Sequence, residues 1–185
     1  MRTKILNIIT LVLITSVGYT QDAKKETEAI KTKMDAFASK TGVITKFTDT
    51  NLESLKTTYG EISETRIRKV TSGSNSFYFY QIEKKGKYNT STASIEYNDL
   101  LEVIKALTSL KSEIEKDIAA NPDYLENKFV TVDGFQLGYF INKGNATWYL
   151  RLEKYGSENT LFISSVDTIE AAFNQAKNKI ELLRK

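Results

Sequence analysis

Two stretches of the chain carry apolar residues at helical spacing, and the segments between them alternate apolar with polar. Leu100, Val103, Ile104, Leu107 and Ile114 fall on one stripe; Ile169, Ala172, Phe173, Ala176, Ile180 and Leu183 fall on another. Each stripe predicts a helix with one face laid on a sheet and a charged face in water. Asn121-Pro122 ends the first, because the residue before proline avoids helical backbone. A further helix is predicted from Asp22 to Ser39, with Ile30, Met34 and Phe37 on one side and Gly42 near its end.

Strands are predicted at Val43–Thr48, Glu64–Val70, Phe77–Glu83 and Thr92–Tyr97, with an irregular connection from Asp49 to Gly60. Later come Phe129–Val132, Phe135–Ile141, Thr147–Glu153 and Thr160–Ser164. Asp133-Gly134 and Lys143-Gly144-Asn145 supply the positive φ that tight turns between them need.

These elements fall into two similar runs. Ile82-Glu83-Lys84-Lys85-Gly86 answers to Leu152-Glu153-Lys154-Tyr155-Gly156, each after an aromatic cluster. Ile95, Asp99, Leu101 and Glu102 answer to Ile163, Asp167, Ile169 and Glu170. An offset near 70 residues suggests one supersecondary unit used twice. The expected fold is α+β: an N-terminal helix followed by two ββββα repeats, with antiparallel sheets covered by helices. The expected divisions are a signal over 1–20, a helix within 21–42, a first repeat over 43–120 and a second over 121–185. Asp99 and Asp167 are expected to cap their helices, with Glu102 and Glu170 reaching back from three residues on.

The start of the chain changes the picture of where the protein works. Arg2 and Lys4 form a basic head, Ile5 to Ile14 an apolar core, and Ser16 to Thr20 a small or polar tail. That is the pattern of an export signal, too short for a stable membrane span. A cut after Thr20 leaves Gln21 first; a cut at Ala23 is the alternative. The expected location is the periplasm or the extracellular space, with no membrane span once the signal is removed. Without Arg2 and Lys4 the chain carries 24 basic and 23 acidic side chains, so its balance requires no polyanionic partner.

Histidine and cysteine are both absent. There is no imidazole base, no thiol nucleophile and no zinc or haem site of the usual kinds. No cofactor, no metal and no catalytic residue is therefore expected. Carboxylates remain, and Glu83, Glu96 and Glu153 are the strand-borne ones that could serve a hydrolase acting on glycans. Basic groups interleaved with aromatics offer a different chemistry. Arg66, Arg68, Tyr78, Tyr80, Trp148 and Tyr149 form the candidate surface for a ligand or partner.

The ββββα-ββββα order resembles the single-stranded nucleic-acid binders of the PUR and Whirly type. Shifted by one helix, it resembles the PepSY-like exported proteins. The signal ending Tyr19-Thr20-Gln21 and the Lys/Asn/Ile-rich composition look like small exported proteins of Bacteroidota. Neither order carries functional residues onto this chain. The function expected from the residues is an exported, non-enzymatic binding or interaction protein, its partner a protein or small ligand and not nucleic acid. The alternatives are the carboxylate hydrolase and a single-strand-binding module.

Overall fold

The structure, a computed structural model, describes residues 32–156 and 158–185. The expected signal and most of the helix expected from Asp22 lie outside the described residues. Within the expected range the described residues hold a six-residue helix, α1, Lys33–Ala38. Thr32 caps it: its hydroxyl accepts from the Asp35 N–H, and the Asp35 carboxylate accepts from the Thr32 N–H in return.

The fold is α+β with two antiparallel sheets. In the first, β1 (Thr45–Asn51), β3 (Ile62–Ser72), β4 (Asn75–Lys85) and β5 (Thr90–Glu96) pair in that order. The short β2 (Leu55–Lys56) pairs with the start of β3, inside the connection expected to be irregular. The helix α2 (Tyr97–Ala119) follows. In the second sheet β6 (Tyr124–Val130), β7 (Gln136–Asn142), β8 (Asn145–Arg151) and β9 (Thr160–Ile163) pair in chain order, and α3 (Val166–Leu183) follows. Lys143 and Gly144, with φ of 49° and 78°, make the two-residue hairpin between β7 and β8. Gly134 is needed twice over. Its φ is 89°, and a Cβ there would stand 2.6 Å from the Lys154 Cβ.

Neither helix belongs to one sheet alone. The helix α2 packs on β4 and β5 of the first sheet and on β6, β7 and β8 of the second. In turn α3 packs on β2 and β3 as well as β9, and the two helices pack on each other. The result is one continuous core, in which Ile67, Tyr80 and Ile95 of one sheet join Leu137, Tyr139 and Leu150 of the other around Leu100, Leu107 and Phe173. Polar ties cross it at the ends. The Tyr139 hydroxyl donates to Asp117 on α2 at 2.6 Å, and burial pushes its pKa up to about 12. Lys111 on α2 reaches Glu170 and Asp167 on α3.

The two expected caps are corrected. Each helix starts earlier than the acid chosen to cap it. Glu96 caps α2 by accepting from the Asn98 N–H, and Ser165 caps α3 by accepting from the Asp167 N–H. Asp99 lies in the first turn of α2, where its carboxylate suits the helix dipole and binds Lys33 at 2.6 Å. Asp167 lies in the first turn of α3 and faces solvent.

Candidate functional site

Strand alternation gives each sheet an inner face on the helices and an outer face. In β4 the inner face carries Tyr78, Tyr80 and Ile82, all in the common core. Tyr80 is 0% exposed and buried deeply enough to push its hydroxyl pKa up. The Tyr78 hydroxyl donates to the Leu183 carbonyl at the end of α3. In β8 the inner residue is Trp148, edge-on to Tyr139 with ring centroids 5.0 Å apart. Tyr78, Tyr80 and Trp148 thus lie in the core and not on the expected surface, because their faces of the two sheets are the ones turned onto the shared helices α2 and α3.

The expected arginines do face outward, on the first sheet, but both are engaged. Arg68 makes a fork of two hydrogen bonds to Asp49, 2.7 and 2.6 Å. Arg66 donates to Gln81 at 2.8 Å and to Glu83 at 2.6 Å. This ladder takes up the cationic face that a nucleic-acid strand would need. Higher up the same face, Phe37 of α1 stacks on Phe77 and meets Phe79 edge-on. The outer aromatics of β4 are therefore covered from within the chain, while Phe47 on β1 stays 47% exposed beside Arg68.

The second sheet differs. Its outer face carries Tyr124, Phe140, Tyr149 and Phe162, one from each strand, joined by Tyr59 from the β2–β3 loop. Neighbouring rings stand 6.2–6.4 Å apart: Tyr124 to Phe140, Phe140 to Tyr149 and Phe162, and Phe162 to Tyr59. Tyr149 lies opposite Gly138, and its hydroxyl crosses β7 to donate to Glu126 on β6 at 2.5 Å. The missing side chain at Gly138 leaves space for that ring. Both long helices pack on the opposite face, and Tyr124 and Tyr59 remain 62% and 77% exposed. Of the expected surface residues only Tyr149 belongs to this strip. Tyr59, Tyr124, Phe140 and Phe162 were missed, though the alternation of Leu137, Tyr139 and Ile141 already placed Phe140 on the face opposite theirs.

The three strand carboxylates have occupations of their own. Glu83 pairs with Arg66, Glu96 caps α2, and Glu153 accepts from the Thr92 N–H at 2.8 Å. Among the described residues no cluster of acids has the arrangement of a metal site, and no helix is long and apolar enough to cross a membrane. Compared with protein-family models, curated proteins and solved structures, the chain matches none of them.

Proposed function

We propose that this chain is an exported binding protein without catalytic activity, and that its contact surface is the aromatic outer face of the second sheet. The observation that carries this reading is the five-ring strip from Tyr124 to Tyr59, which is contiguous: Tyr124 and Tyr59 are exposed at its ends, Phe140 and Phe162 are half-buried between them, and the buried Tyr149 supports them from below. Such patches are uncommon on proteins that bind nothing. The occupant that fits is an apolar segment of another protein. Phe140 to Phe162 and Phe162 to Tyr59 meet at 85° and 83°, so they form no flat platform for a sugar or a base. The nearby Lys128 is paired with Glu126 at 3.0 Å. On the first sheet Phe77 and Phe79 of the comparable face are covered by a helix-borne phenylalanine, Phe37.

The reading also takes the two sheet-and-helix halves as copies of one unit. Tyr80 opposite Ile95 and Trp148 opposite Ile163 support it, since both pairs sit where the last two strands of a sheet meet below a helix.

A photocrosslinking residue at Tyr124 should give a discrete adduct with a partner from the exporting cell, and the same residue at the exposed Tyr88 should not. Phe140→Ser with Phe162→Ser should abolish the adduct while the far-ultraviolet spectrum is kept. Equal adducts from both positions, or turnover of polymer, ester or peptide substrates by the purified chain, would sink the proposal.

A further inference from the structure

A second feature lies away from the aromatic strip. A cavity of about 410 Å³ opens where α1, β5, the β6–β7 turn and the β8–β9 loop meet. Met34, Phe135 and Leu152 give it apolar walls, and Val132 and Tyr155 stand at its mouth, 81% and 71% exposed. Its charges are unequal. Among the described residues Asp35, Asp133 and Glu153 line it against a single lysine, Lys154. That lysine places its ammonium over the Tyr155 ring, 5.2 Å from the centroid. Lys33, between the lining residues Thr32 and Met34, is engaged by Asp99.

We propose that this cavity binds a small organic cation with an apolar body, its charge held by Asp133 and Glu153 and by the face of Tyr155. Concave sites of this volume with a few convergent polar groups are the usual form of a ligand site. The sign follows from the lining. Among the described residues Asp133 accepts the Lys33 N–H and Glu153 the Thr92 N–H, so each carboxylate keeps lone pairs for a further donor. Burial leaves the Asp133 carboxyl above its usual range, with the acids Asp99 and Asp35 adding to the effect. A bound cation relieves that cost. The Tyr155 face takes an ammonium, that of Lys154, and an organic cation would take its place as the exposed Lys154 side chain turns to solvent. Apolar walls then select alkyl-bearing cations over free inorganic ones. A carboxylic acid of the same length meets the same walls with the wrong charge.

The test titrates the chain from Gln21 to Lys185 with hexylamine and, separately, with hexanoate, following backbone amide resonances. Hexylamine should produce saturable shifts at Thr92, Val132, Asp133 and Lys154, and hexanoate should not. Tyr155→Ala, at an exposed position, should weaken the amine roughly two- to fivefold, the range of a partly exposed cation–π contact. Asp133→Asn should weaken it further, with a thermal melt recorded to show that the variant is folded. Saturable binding of hexanoate at these residues, shifts confined to Tyr124 and Phe140, an amine response unchanged in both variants, or no saturable shift at all would overturn the proposal. Cleavage of a glycan that Asp133→Asn abolishes would overturn it too, by assigning the carboxylates to hydrolysis. The aromatic strip is tested by different residues and a different readout, so either proposal can fail alone.

Discussion

Phe37 stacks on Phe77 with ring centroids 3.6 Å apart and planes at 21°. That contact joins a six-residue helix to β4, a strand more than thirty residues away in sequence. Such a helix is too short to be stable in water by itself. The bond of Lys33 to Asp99 and the acceptance of the Lys33 N–H by Asp133 complete its anchorage. Phe37→Ala should cost about 1–2 kcal/mol, roughly half the value for a fully buried ring, since Phe37 is half-buried. Chemical denaturation measures the loss, and limited proteolysis should cut near Lys40 sooner than in the parent. An unchanged cleavage rate would show that α1 is held by its polar ties alone.

Helix starts separate a capping role from an ion-pair role. Ser165→Ala should cost about 0.5–2 kcal/mol, because it frees the Asp167 N–H. Asp167→Ala should change stability by less than about 0.5 kcal/mol, being exposed and only loosely bound to Lys111. Asp99→Ala should act through Lys33, and its effect should largely vanish in a chain that already carries Lys33→Met. A double-mutant cycle on denaturation midpoints reads this coupling.

Gly138 sits where β6 and β7 approach most closely. A Cβ there would lie 2.5 Å from the Asn127 carbonyl oxygen and 2.7 Å from the Lys128 Cβ. Gly138→Ala should destabilise by about 1–3 kcal/mol through overpacking. It should also displace Tyr149 from Glu126, visible as a loss of the hydroxyl's hydrogen bond by NMR. An alanine variant as stable as the parent would mean that β6 yields as an edge strand.

Acid should weaken the protein through particular carboxylates. The hydrogen bond from Arg68 holds Asp49 below its usual range, and the Tyr149 hydroxyl does the same for Glu126. Groups lowered by folding contribute stability above their unfolded values, about pH 4, and lose it as pH falls through the folded ones. Asp49→Asn and Glu126→Gln should therefore flatten the loss of stability below about pH 4. Asp133 runs the other way. Its raised carboxyl favours the fold at low pH and loses that contribution as pH rises through the folded value. Asp133→Asn should gain on the parent between pH 3 and pH 7. Melting temperatures across that range check all three signs.

Local pattern was enough to read the two long helices, most strands and the α+β class. The stripe from Leu100 to Leu107 and the alternation in Leu137, Tyr139 and Ile141 are set by neighbours on the same element, and a period reports those directly. Period alone says which residues share a face, not which face is covered. Phe77 and Phe79 lie on one side of β4 and Tyr78 and Tyr80 on the other, and both sides are apolar. Their fates were decided by helices that serve both sheets, and by α1 arriving on the outer side. The same holds for the caps: Asp99 has the chemistry of a cap, but the end of β5 pairing at Glu96 set where α2 begins. The cavity was illegible for the plainest reason. Its walls come from Met34, Thr92, Asp133 and Glu153, and only contacts spanning about 60 to 100 residues, such as Lys33 with Asp133 and Thr92 with Glu153, bring them together.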